Sequence, residues 1–150
     1  MTIKARIDQD LKTAMLAGDK QTATILRGLK GAILNVEIAQ NAREQGLPEP
    51  EVITVLGKEA KKRQESADMY AQAAQQERAD TELAEKVVIE KYLPQQLTDE
   101  ELIAIVDQAI AESTVEGMQA MGQVIGKVKS QTAGKADGGR IAQLVKGKLA

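Results

Sequence analysis

The segment YLPQQLTDEEL, residues 92–102, joins a helix stop to a helix start and is the strongest structural signal in the chain. Pro94 lacks a backbone N–H and disfavours the helical conformation at the residue before it, so a preceding helix has to end here. Thr98 and Glu101 then have the spacing of a capping box, in which each side chain binds the backbone N–H of the other residue. The segment therefore predicts a boundary between two helical parts.

Apolar residues recur at three- and four-residue intervals on both sides of this boundary, for example at Ile3, Ile7 and Leu11. This repeat is typical of amphipathic helices. The chain has two aromatic residues, so its core has to be built from aliphatic side chains, which favours closely packed helices over a large β-sandwich. We predict an all-α fold with a helical N-terminal domain over residues 1–93 and a small three-helix domain over residues 98–150.

Four helices are predicted in the N-terminal domain. The first ends at Gly18, and the second begins after Asp19 and continues to Gly46 and Pro48. The third begins at Pro50, because proline is favoured in the first turn of a helix. The fourth follows a break, and its apolar face is expected to consist of Leu83, Ala84, Val87 and Val88.

Three positions inside these helices need an explanation. Gly28 and Gly31 lie within the second helix, where each glycine costs about 1 kcal/mol relative to alanine. We expect a closely approaching neighbouring helix there rather than a ligand-binding loop. Arg63 interrupts the small and apolar stripe of the third helix, and its head group either reaches solvent or pairs with a buried acidic residue.

Three short helices are predicted after Thr98. Their apolar positions are Leu102, Val106, Ala109 and Ile110 in the first, Met118, Met121, Ile125 and Val128 in the second, and Ile141, Leu144, Val145 and Leu149 in the third. Helices of this length cannot each bury an apolar face alone, so we expect them to pack on one another.

Charge is distributed unevenly along this second part. Residues 99–116 carry six acidic and no basic side chains, whereas residues 117–150 carry six basic side chains and one acidic one. Such a basic segment favours an anionic partner. The basic residues are Lys127, Lys129, Lys135, Arg140, Lys146 and Lys148.

The composition excludes much of the familiar catalytic chemistry. The chain has no cysteine and no histidine, which removes thiol nucleophiles, disulfides, histidine bases and almost every zinc site. We predict no catalytic residues, no cofactor and no metal site. The N-terminus has no apolar signal core and no run approaches membrane-spanning length, so a cytoplasmic protein is expected.

Several short motifs resemble those of the GatB/YqeY family. In the second part they are YLPQQL at residues 92–97, MGQVIG at 121–126 and GKADG at 134–138. In the first part they are LRGLK at residues 26–30 and KEAKKRQES at 58–66. The similarity covers nearly the whole chain and is closest to the free-standing YqeY type.

The resemblance implies a helical N-terminal domain followed by a small helical domain similar to the tail of the tRNA-dependent amidotransferase B subunit. That enzyme is a carbon–nitrogen ligase with glutamine as amido-N-donor, and its tail contacts tRNA while the chemistry lies in domains that this chain lacks. The expected function is therefore a tRNA-binding or tRNA-associated module without catalysis of its own. Its expected partners are tRNA and, by association, the amidotransferase or other translation-related proteins.

The residues expected to contact RNA are Lys127, Lys129, Lys135, Gly138, Arg140 and Lys146. Lysine and arginine contacts to phosphates release counterions, and glycine at the start of a helix lets a phosphate approach free amides. For this loop we favour a second interpretation, in which Asp137 caps the last helix. No aromatic residue follows Tyr92, so binding would depend on shape and backbone rather than on base stacking.

A helical protein–protein adaptor that does not bind RNA is the alternative. It would use Met118 and Met121 or the N-terminal domain, although methionines at this spacing are more often part of a core.

Overall fold

The computed structural model describes residues 1–150 as seven α-helices and one 3₁₀ turn, without β-strands. The helices are α1 (Ile3–Ala17), α2 (Lys20–Ala39), α3 (Glu49–Gln72), α4 (Gln76–Glu90), α5 (Asp99–Ala111), α6 (Met121–Thr132) and α7 (Gly138–Leu149), with the 3₁₀ turn Gly117–Ala120 before α6. The prediction of an all-α fold is confirmed. The chain forms two compact units, Met1–Leu93 and Pro94–Ala150. No helix combines the length and the apolar character that crossing a bilayer requires.

The first unit has an aliphatic core to which all four of its helices contribute. Its largest fully buried side chains are Ile7, Leu26, Leu29, Ile33, Leu56 and Ile89. Burial of each such side chain is worth about 1.5–3 kcal/mol relative to exposure, so this cluster supplies most of the driving force for folding of the unit.

Helices α1 and α2 both end at a residue in the left-handed conformation, but only the end of α1 was predicted. Gly18 adopts a left-handed conformation with φ 75° and ends α1 as expected. The predicted extension of α2 to Gly46 and Pro48 is wrong, because Asn41 takes the left-handed conformation with φ 54°. The N–H of Ala42 then donates to the carbonyl of Glu37 at 2.7 Å, which closes the helix seven residues early.

α3 begins at Glu49 with Pro50 in its first turn, as predicted. It ends at Gln72, and Ala74 adopts φ 58° in the connection to α4. Left-handed alanine is strained because its Cβ crowds the backbone.

The predicted apolar face of α4 is only partly correct, because Val88 packs against the core whereas the other three predicted residues are exposed. Leu83 is 36% exposed and Val87 is 55% exposed, whereas Ala79 and Ile89 are buried. The physical reason lies in polar contacts with α3, since Glu85 faces Arg63 across the helix pair. The rotation that buries these polar groups turns Leu83 and Val87 toward solvent.

Arg63 therefore takes the second of its two expected roles, pairing with acidic side chains. Its Nε lies 3.1 Å from Glu85 Oε2, and its Nη1 lies 3.8 Å from Glu82 Oε2. Next to them, Lys86 Nζ donates to Gln64 Oε1 at 2.9 Å. The α3–α4 pair is thus held partly by half-buried charges.

The expected close approach of a helix at Gly28 and Gly31 is also wrong. A Cβ built on either glycine would meet no heavy atom within 4 Å. Tertiary packing within the chain therefore does not require glycine at either position.

Tyr92 ties the end of the first unit to α1. Its hydroxyl donates to Asp10 Oδ2 at 2.5 Å, and the Arg6 guanidinium lies 5.2 Å from the ring centroid. Burial, reinforced by the hydrogen bond and charge of Asp10, raises the pKa of Tyr92 well above its usual value.

The second unit begins with the predicted capping box. Thr98 Oγ1 accepts from the Glu101 N–H at 3.2 Å, and Glu101 Oε2 accepts from the Thr98 N–H at 2.9 Å. The three helices pack around one core, as expected from their length. Its fully or nearly fully buried members include Leu102, Val106, Val124, Val128, Ile141 and Val145.

Two details of this unit differ from the predicted pattern. Met118 lies on the 3₁₀ turn and is 47% exposed, so it is not a core residue of the sixth helix. Residues 94–97, between the two predicted domains, also bind within the second unit. The Leu97 N–H donates to the Lys135 carbonyl at 2.8 Å, and Gln96 Nε2 donates to the Gly134 carbonyl at 3.1 Å.

We expect opposite substitutions to stabilise the first unit at two positions. Gly28→Ala should add about 1 kcal/mol to the free energy of unfolding, because alanine favours the helix and the site is open. Ala74→Gly should add about 1 kcal/mol, because glycine adopts a positive φ without strain. Urea denaturation followed by far-UV circular dichroism measures both, and Gly18→Ala, at φ 75°, is the destabilising control.

Tyr92→Phe should lower the free energy of unfolding by about 1–2 kcal/mol, because the hydrogen bond to Asp10 is lost. Since the folded-state pKa of Tyr92 is raised, the stabilisation is fully present below the unfolded pKa of about 10 and is lost as the pH rises above it. Urea midpoints measured between neutral and strongly alkaline pH should therefore fall more steeply for the wild type than for Tyr92→Phe. An unchanged alkaline slope would contradict this assignment, and Tyr70→Phe is the matched control.

Candidate nucleic-acid interface

The loop between α6 and α7 is shaped by two left-handed residues and a helix cap. Ala133 and Gly134 have φ values of 45° and 84° and turn the chain away from α6. Asp137 Oδ2 then accepts a hydrogen bond from the Arg140 N–H at 3.2 Å. The capping interpretation of this loop, favoured from the sequence, is therefore confirmed.

Lys129 and Gly138 lie together at the start of α7. A Cβ built on Gly138 would lie 3.2 Å from Lys129 Cε and 3.4 Å from Lys129 Nζ. The absence of a side chain at position 138 therefore lets the lysine stem cross the first turn of the helix. This placement adds a positive charge beside the helix end that the Asp137 carboxylate already caps.

Two of the residues predicted to contact RNA form ion pairs within the unit. Lys127 forms an ion pair with Glu112, and Arg140 forms one with Asp99. Arg140 Nη1 also donates to the Leu97 carbonyl at 3.2 Å.

Lys148, on the same basic segment, lies 2.9 Å from Asp107 Oδ1. Together with Lys127 and Arg140 it brings cations of α6 and α7 to the acidic helix α5. These residues therefore stabilise the three-helix arrangement.

Three other cations stay exposed on the second unit. Lys129 lies near the end of α6, Lys135 lies in the loop and Lys146 lies in the last turn of α7. The structure therefore places only half of the six basic side chains at an accessible surface without an ion pair to α5.

The interpretation of the basic segment from sequence overlooked the acidic residues that pair with its cations. Residues 94–150 carry seven carboxylate side chains and six basic ones, so the unit as a whole is not basic. The signal was present in the sequence, because adjacent blocks of opposite charge within one small unit favour pairing. Lys127, followed by Gln108, lowers the pKa of Glu112 through hydrogen bonds, as expected for a carboxylate engaged in such a pair.

The described side chains include no group of three or more His, Cys, Asp or Glu residues placed to hold a metal ion.

The family model for Yqey-like proteins matches residues 4–149. The chain belongs to the YqeY family. The match spans both compact units and agrees with the resemblance of the short motifs. A comparison with curated proteins found no match.

We predict that Arg140→Gln destabilises the second unit by about 1–2 kcal/mol, because it removes the Asp99 pair and the bond to the Leu97 carbonyl. Lys146→Gln, at an exposed position, should change stability by less than about 0.5 kcal/mol. Amide hydrogen exchange of α5–α7 measures the effect in this unit directly. Equal protection in the two variants would contradict the structural role of Arg140.

Proposed function

We propose that the second unit binds tRNA through the phosphate backbone and that the protein catalyses no reaction of its own. The observation that carries this proposal is the placement of the exposed Lys129 beside the N-terminal turn of α7, with Lys135 in the adjoining loop. Ammonium groups bind phosphate oxygens, and each such contact releases counterions. The resemblance of this unit to the tail of the tRNA-dependent amidotransferase supports tRNA as the nucleic acid.

We propose fewer RNA-contacting residues than the sequence predicted. Lys129, Lys135 and Lys146 are the contacts, whereas Lys127 and Arg140 act within the fold. About three phosphate contacts would give weak binding that falls with salt, with a slope of log affinity against log salt between about −2 and −3. Since the unit is not basic overall, affinity has to come from the local arrangement of these lysines.

The second unit would recognise the shape of the RNA rather than its base sequence. No aromatic side chain follows Tyr92, so the second unit offers no platform on which bases stack. This suits a module that contacts the body of a folded tRNA and leaves chemistry to a separate enzyme. By family relation the associated enzyme is the glutamine-dependent amidotransferase, in which the related tail performs such a role.

A helical protein adaptor is the second candidate function. The observation that favours it is the exposure of single apolar side chains on α3 and α4, where Met69 is 70% exposed and Val87 is 55% exposed. Exposed apolar side chains of this size are used in protein–protein contacts when they form a continuous patch.

A charge-matched pair of triple variants tests the tRNA proposal in the full-length protein. Lys129→Gln, Lys135→Gln, Lys146→Gln should weaken tRNA binding at least about tenfold, because about three phosphate contacts are lost. The control, Lys12→Gln, Lys20→Gln, Lys58→Gln, has the same net charge but changes exposed lysines of the first unit, and it should bind nearly as well as the wild type. Fluorescence anisotropy of labelled tRNA at about 50 and 200 mM salt measures affinity and salt slope.

An equal loss of tRNA affinity in the two triple variants would show that binding depends only on net charge, and it would overturn the proposal. Absence of binding at the lower salt would overturn it as well. Protein partners that remain bound after complete nuclease treatment, and that are lost in Met69→Ser, Val87→Ser, would favour the adaptor.

A further inference from the structure

A polar cleft of about 260 Å³ opens in the first unit, between the start of α1 and the loop that joins α2 to α3. It takes no part in the tRNA interface proposed for the second unit. Its charged and polar lining includes Thr2, Lys4, Arg43, Glu44, Gln45 and Glu49. Two cations and two carboxylates therefore share one small concavity.

An ion pair between a buried carboxylate and a partly exposed lysine lies at the edge of this cleft. Glu37 is 2% exposed, and its Oε1 lies 2.6 Å from Lys4 Nζ. Burying a carboxylate costs free energy even when the carboxylate is paired. Stabilisation of the fold is therefore a weak explanation for the presence of Glu37 here. Gly46 of the α2–α3 loop lies beside it, since a Cβ there would be 3.9 Å from both Lys4 Nζ and Glu37 Oε1.

Glu37 fixes the position of the Lys4 ammonium group. An ammonium has three N–H donors, and Glu37 Oε1 takes one of them. Lys4 also lines the cleft, where Arg43 supplies a second cationic group. A held ammonium with donors to spare and a nearby guanidinium are suited to bind a carboxylate.

The two carboxylates of the cleft are suited to bind a positive group. Glu49 Oε1 accepts the Ile3 N–H at 2.8 Å, which fixes that side chain, and Glu44 lies on the same lining. A simple anion would meet these two carboxylates, and a simple cation would meet Lys4 and Arg43. A ligand that carries both charges can pair with the cations and with the carboxylates.

We propose that this cleft binds a small zwitterion of the α-amino-acid class. The ligand carboxylate pairs with Lys4 and Arg43, and its ammonium group pairs with Glu44 and Glu49. The volume suits a ligand of amino-acid size, since pockets for drug-sized molecules usually begin at about 300 Å³. Glu37 is a positioning residue, because it holds Lys4 without lying on the cleft lining.

The test titrates ¹⁵N-labelled full-length protein with the common α-amino acids, one at a time, and records amide and lysine ammonium signals. At least one amino acid should cause saturable shifts confined to residues 2–5 and 43–49, together with a shift of the Lys4 ammonium signal. Acetate and methylammonium, each carrying one of the two charges, should cause no saturable shift at the same concentration.

Matched variants separate the cleft from general charge effects. Arg43→Gln and Glu44→Gln should each weaken binding at least about tenfold, as expected when one partner of a charge-assisted pair is lost. Arg27→Gln and Glu51→Gln, exposed and outside the cleft, should leave the affinity unchanged. Glu37→Gln should abolish the ligand-induced shift of the Lys4 ammonium signal while the amide spectrum of the core stays folded.

The proposal is overturned if no amino acid gives saturable shifts, or if acetate alone reproduces them. It is also overturned if Arg43→Gln and Arg27→Gln bind equally well. A Lys4 ammonium signal that still responds to ligand in Glu37→Gln would remove the positioning role of Glu37.

Discussion

The structure depends first on how its helices end. The last carbonyl groups of an α-helix have no partner within the helix, and a residue in the left-handed conformation brings following N–H groups back to them. Gly18, Asn41, Ala74 and Ala133 provide this turn after α1, α2, α3 and α6. Two of the four are alanines, which adopt that conformation at a cost, so tertiary packing has to hold those connections in place.

Charge pairing between helices then decides which surfaces are available to partners. In the second unit, Asp99 and Asp107 of α5 and Glu112 just after it pair with cations that follow them by 15 to 41 residues in the chain. In the first unit, Arg63 draws the acidic face of α4 toward α3. Ion pairing therefore has different consequences in the two units. It engages cations of the second unit, and it leaves apolar side chains of α4 exposed in the first.

The two proposed binding regions use charge in different ways. The proposed tRNA interface would rely on exposed lysines, with Lys129 lying across Gly138 at the start of α7. The cleft of the first unit relies on Lys4, whose ammonium is fixed by the buried Glu37. Glu37 is 33 residues from Lys4 and Gly138 is nine residues from Lys129, on the following helix, so both arrangements depend on how helices pack.

The sequence by itself determined the all-α class, most helix positions, the capping box at Thr98 and the family. Those features rest on local backbone and side-chain interactions, or on motifs read directly from the chain. The end of α2 at Asn41 was missed because asparagine adopts the left-handed conformation less often than glycine. The rotation of α4, the engagement of Lys127 and Arg140 and the burial of Glu37 were decided only by the tertiary structure. Their partners are distant in sequence, and hydrophobic periodicity carries no information about which charges will meet.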